Sequence, residues 1–172
     1  MQELFIAIEN NDFAKVKEFI ESALDISDIS DEFSGATPLH MAVGYGYRQI
    51  TEFLLEKGSD VNSVDNVGNT PLHFAAAFPE LKDTRSVISI GKLLIEKGAK
   101  LNAKNNEGDT PLHFAFNKEG KIGIIELLIK YGAKVNTENR MGLTPVQKSR
   151  GYTDDTPEKE KCFCYKYCLH AK

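Results

Sequence analysis

Apolar positions along this chain fall in short clusters, and the polar words between them repeat. In one stretch Leu39, Ala42 and Val43 lie at i, i+3, i+4 spacing, one face of a helix. Thr37 and Pro38 stand just before them. Threonine is a good N-cap and proline suits the first helical position, so the pair starts that helix. Gly44 and Gly46 break it. A second apolar face follows at Ile50, Phe53, Leu54 and Leu55, and Gly58 ends it as a left-handed cap residue. The run 61–68, with Asn62, Asp65, Asn66 and Gly68, is turn-rich and returns the chain to the next Thr-Pro. The unit predicted is two short helices plus an extended turn. Such a unit cannot bury its apolar faces alone and must stack on its neighbours.

The unit recurs. Thr37-Pro38-Leu39-His40 returns as Thr70-Pro71-Leu72-His73 and Thr110-Pro111-Leu112-His113, with a degenerate copy at Thr144-Pro145-Val146-Gln147. The spacings are 33, 40 and 34 residues. A second word runs in step: Gly58 to Asn62 matches Gly98 to Asn102 and Gly132 to Asn136. Each of these glycines precedes its next Thr-Pro by twelve residues. The length variation therefore lies between the Thr-Pro and the glycine.

This period and these words resemble the ankyrin repeat. The resemblance implies an all-α solenoid of stacked helix-turn-helix pairs joined by β-hairpin-like turns, with 1–172 forming one domain. Residues 1–34 read as an N-terminal cap, with Leu4, Phe5 and Ile8 on its first helix and Phe13, Val16, Phe19 and Ile20 on its second. Residues 35–67, 68–107 and 108–141 read as internal repeats, and 142–172 as a C-terminal cap. Two departures stand out. In the run 23–34 the place matching Gly58 falls on Asp25, which predicts an irregular first hairpin. Residues 78–85 replace the usual two-residue turn. They predict a longer loop and an added turn of helix over 86–97, as either a neutral insertion or a functional loop.

Candidate chemistry is sparse. His40, His73 and His113 could be ligands or bases. The resemblance instead implies that each bonds near its own threonine and the adjoining turn, tying repeats together. A row of stacked residues also cannot converge on one metal. Cys162, Cys164, Cys168 and His170 put four soft donors in nine residues. They read either as a metal or redox site or as one face of a final helix, where buried cysteine packs as a small hydrophobe. No metal or cofactor is expected. Asn62, Asn102 and Asn136 are read as holding the turn. No phosphate loop, serine elbow or zincin motif occurs, so no enzymatic activity is expected.

The resemblance implies binding of another protein through a concave face of turn tips and first helices, as an adaptor or inhibitor. The positions on that face are Phe33, Tyr45, Tyr47, Val67, Phe78, Glu107, Asp109, Lys118, Arg140 and Met141. Ser34, Ala36, Asn69 and Leu143 accompany them. The alternatives are a metal- or redox-responsive protein using the cysteine cluster and a non-catalytic regulatory subunit of an enzyme on another chain.

Composition narrows the setting. Hydrophobic residues make up 41% and charged residues 27%, with a formal net charge of −4 and no basic run. Neither nucleic acid nor a membrane is an expected partner. The N-terminus lacks a secretory signal, and no apolar stretch approaches the length of a bilayer span. Cysteines are confined to the last eleven residues. A cytoplasmic, reducing location and a monomeric state are expected. Lysine outnumbers arginine 17 to 4, which suits an AT-rich genome, such as that of an intracellular bacterium with effectors acting on host targets.

Overall fold

A computed structural model describes residues 2–22, 29–77, 84–116 and 122–149. These are helices and turns, with no strand among the described residues. The helices are α1 (Gln2–Glu9), α2 (Phe13–Ser22), α3 (Pro38–Gly44), α4 (Arg48–Glu56), α5 (Pro71–Ala77), α6 (Thr84–Glu96), α7 (Pro111–Phe116), α8 (Ile122–Lys130) and α9 (Pro145–Ser149).

They stack in two columns. The inner column runs α1, α3, α5, α7, α9, each helix packing on the next. The outer column runs α2, α4, α6, α8, and each outer helix also packs on the inner helix of its own unit. The pattern of the sequence explains the columns. Leu39, Leu72 and Leu112, one residue after each proline, are fully buried. Ile50, Leu54, Leu94 and Leu128 bury the facing side of the outer helices. One continuous apolar cluster thus runs from Leu4 to Leu128 and on to Val135. Each such side chain contributes about 1.5–3 kcal/mol by leaving water.

The expected extra helical turn is present: α6 spans 13 residues, against 9 in α4 and in α8. Two glycines let the outer helices close up. A Cβ on Gly91 of α6 would lie 2.7 Å from Ile124 Cδ1, and one on Gly123 of α8 would meet Ile88. The first hairpin closes from Asp31 N–H to Ala36 O, one residue wider than the closures Asp65 N–H to Asn69 O, Asn105 N–H to Asp109 O and Asn139 N–H to Leu143 O, while Asp25, on which its expected irregularity turned, lies outside the described residues. No helix of the described residues is long and apolar enough to cross a membrane.

Candidate functional site

Helices α3, α5 and α7 each begin at a cap built from their own Thr-Pro-Leu-His word. Thr70 N–H donates to His73 Nδ1 at 3.0 Å, and Thr110 N–H does the same to His113. Thr37 N–H donates to His40 Nδ1 at 3.1 Å. The other ring nitrogen crosses to the next unit. Nε2 lies 3.0 Å from the carbonyl oxygen of Asn69 for His40, Asp109 for His73 and Leu143 for His113. A carbonyl can only accept, so Nε2 carries the proton and each imidazole is neutral. Burial, the largest cause, lowers all three histidine pKa values, that of His73 to about 4. The histidines thus sit where the family resemblance put them, one to a unit and pointing along the stack. In the last unit Gln147 keeps the local half of the cap: Thr144 N–H donates to its Oε1 at 2.9 Å.

The hairpins are stiffened by short polar side chains. Asp65 Oδ1 accepts from Val67 N–H and Asn69 N–H. Asn105 Oδ1 does the same for Glu107 and Asp109, and Asn139 Oδ1 for Met141 and Leu143. These residues also reach each other across units. Asn105 Nδ2 donates to Asn69 Oδ1, and Asn139 Nδ2 donates to Asp109 Oδ1. Sequence reading overlooked this polar spine. Its signal was an Asp or Asn five residues before Thr70, Thr110 and Thr144. Asn62 and Asn102 act elsewhere: each accepts from a backbone N–H of the following unit, Lys100 and Lys134 respectively.

The hairpin tips are then zipped side by side. Asn66 N–H donates to Ser34 O, Asn106 N–H to Val67 O and Arg140 N–H to Glu107 O, each at 2.9 Å. These bonds join each tip to the next beside a row of exposed side chains. Phe33 is 87% exposed, Val67 54% and Met141 69%, and Glu107 and Arg140 are also exposed. Tyr45 lies at the far end of α3, 36% exposed, with its ring stacked on Tyr47 at 5.5 Å between centroids.

Two of the expected contact residues are corrected by the geometry. Asp109 is fully buried rather than displayed, because its carboxylate is taken up by Asn139 Nδ2 and the ammonium of Lys148. Tyr47 is half-buried against the core, and its hydroxyl donates to Glu9 O at 3.2 Å, so it supports Tyr45 rather than standing free. Ala36 is likewise buried, and Asn69 and Leu143 are half-buried. Phe78 and Lys118, and the Cys162, Cys164, Cys168 and His170 cluster, lie outside the described residues. Among the described residues no group of three or more His, Cys, Asp or Glu side chains could hold a metal ion.

A family model described as ankyrin repeats (three copies) matches residues 4–104 and 84–139. Protein phosphatase 1 regulatory subunit 12A of Mus musculus is 47% identical over 51 residues, 30% of this chain and 5% of that protein. Probable 26S proteasome regulatory subunit p28 of Saccharomyces cerevisiae is 35% identical over 68 residues, 40% of this chain and 29% of that protein. The putative ankyrin repeat protein FPV230 of fowlpox virus is 46% identical over 41 residues, 24% of this chain and 22% of that protein. The chain spans less than a third of each of these relatives.

Proposed function

The chain belongs to the ankyrin-repeat family, whose repeats are protein-interaction modules, and from that premise we propose that it is an adaptor or inhibitor holding one partner protein against its hairpin tips and inner helices. The observation that carries this reading is the zipped row of tips. Phe33 and Val67 expose large apolar side chains beside carbonyls that accept from Asn66 and Asn106 of the next tip, and Met141 exposes one directly after Arg140, whose N–H is held by Glu107 O. A rigid display of this kind loses little entropy on binding, and aromatic anchors on it are the usual hot spots. The buried motif histidines are neutral and bonded at both nitrogens, so they supply structure rather than acid–base chemistry.

Affinity capture from lysate of the source cell, read by mass spectrometry, tests the proposal. The intact chain and a Phe33→Ser/Val67→Ser/Met141→Ser form are compared, with circular dichroism to show that both fold. A protein held by the intact chain and lost by the triple variant supports it. Capture that ignores the three substitutions refutes the assignment of the face.

A second reading is a non-catalytic regulatory subunit of an enzyme on another chain. It is favoured by the printed names of two relatives, both regulatory subunits. An enzymatic activity that co-purifies with the captured partner and changes when the chain is added would support it.

A further inference from the structure

The charges of this chain are interspersed but unevenly divided. The first 47 residues hold nine acids and two lysines, a formal −7, while the remaining 125 hold sixteen acids and nineteen basic residues, a formal +3. Three of these acids lie beside exposed aromatic groups of the proposed face: Asp31 and Glu32 at Phe33, and Glu9 at Tyr45. Asp31 and Glu32 directly precede Phe33 at the first tip. Ser34 donates both its hydroxyl and its amide to Asp31, which lowers the Asp31 pKa and keeps the carboxylate charged.

At the other edge of the face stands Tyr45. Tyr47 stacks on its ring at an interplanar angle of 20° and is itself anchored by the bond to Glu9 O, which leaves Tyr45 partly open to solvent. Burial, and after it the neighbouring charge of Glu9, holds the Tyr45 hydroxyl above its ordinary pKa. A pre-stacked ring beside a carboxylate offers a cation both a π face and a counter-charge. Phe33, exposed at the first tip across the face, offers a separate apolar contact.

We infer that the N-terminal half of the face takes a basic segment of the partner protein, with a lysine or arginine on Tyr45 against Glu9 and a bulky apolar residue beside Phe33. This rests on the protein-binding reading above and adds the chemistry of the partner. Long-range attraction to the −7 N-terminal segment would speed encounter and make binding fall with salt.

The full chain is tested on an array of randomised twelve-residue peptides. The expected consensus pairs Lys or Arg with a bulky apolar residue. Glu9→Gln and Tyr45→Ala each weaken a selected peptide about five- to tenfold, a loss in the range of a partly desolvated cation–π contact. Tyr45→Phe, which keeps the ring, binds as the parent does. An acidic or uncharged consensus, an empty array, or a basic consensus indifferent to both Glu9→Gln and Tyr45→Ala overturns the inference. The array is repeated with Val67→Ser/Met141→Ser. Peptides lost there but kept by Glu9→Gln and Tyr45→Ala leave the protein-binding face standing and sink the basic-segment assignment alone.

Discussion

His73 joins two repeats through one ring, its Nδ1 3.0 Å from the amide nitrogen of Thr70 and its Nε2 3.0 Å from the carbonyl oxygen of Asp109. The ring is also packed edge-on against Phe114, 5.4 Å between centroids. Replacing it removes a helix cap, an inter-repeat bond and a fully buried side chain together. His73→Ala should cost about 3 kcal/mol, from a cavity, the orphaned Thr70 N–H and the lost inter-repeat bond at the Asp109 carbonyl, which keeps its bond from Asn105 N–H. Gln147→Ala removes only the exposed local cap and should cost about 1 kcal/mol. Urea unfolding of the two variants checks the difference; equal costs would mean that the bond to Asp109 contributes nothing.

The same burial gives stability a pH dependence of known sign. The His73 pKa drops from an ordinary 6.5 to about 4 in the folded chain, so between those values the unfolded chain binds a proton that the folded chain does not. Stability is then fully present above about pH 6.5 and falls as pH drops toward 4. Between pH 7 and pH 5 His73 alone should remove about 2 kcal/mol, and His40 and His113, also lowered, act in the same direction. Urea midpoints at the two pH values measure this, and His73→Gln should flatten the profile. An unchanged slope in that variant would contradict the assignment.

Much of this architecture was legible because the repeat word encodes it locally. Threonine, proline, leucine and histidine each have one job at one helix start, and three copies in phase leave one stacking direction. The binding face was less legible. Asp109 occupies a turn position that resembles an exposed one, and nothing in its own repeat shows that Lys148, 39 residues on, will neutralise it. Tyr45 and Tyr47 are two residues apart with similar patterns, yet Tyr47 reaches the backbone carbonyl of Glu9 while Tyr45 faces its side chain. Contacts between repeats determine burial at these positions, and those of Asp109 with Lys148 and of Tyr47 with Glu9 occur once each and so leave no periodic trace.

The pairing of Asp109 with Lys148 is open to direct test. The carboxylate is fully buried, while a quarter of the lysine side chain is exposed and its ammonium also lies 5.6 Å from the Phe114 ring centre. Lys148→Met strands a buried charge and should cost about 2 kcal/mol, less than for a wholly buried pair because solvent reaches the site. Adding Asp109→Asn removes the stranded charge and should restore more than half of that loss. A double variant no more stable than Lys148→Met would show that charge burial is not the source of the cost.

Gly108 and Gly142 occupy the same hairpin position with left-handed backbones, φ +80° and +72°, but different surroundings. Alanine at either carries the strain of a left-handed residue, about 1 kcal/mol. At Gly142 a Cβ would meet nothing within 4 Å, so strain should be the whole cost. At Gly108 a Cβ would stand 2.8 Å from the backbone nitrogen of Arg140. That nitrogen cannot retreat freely, because its N–H is held by Glu107 O in the bond that zips the third tip to the fourth. Overpacking against backbone adds about 2 kcal/mol, so Gly108→Ala should cost about 3 kcal/mol against about 1 for Gly142→Ala. The same substitution should also raise amide exchange at Arg140, and with it loosen the display of Met141. Equal destabilisation by the two alanines, with Arg140 exchange unchanged, would mean that the tips are not held together by these bonds and that the row of Phe33, Val67 and Met141 is not a rigid surface.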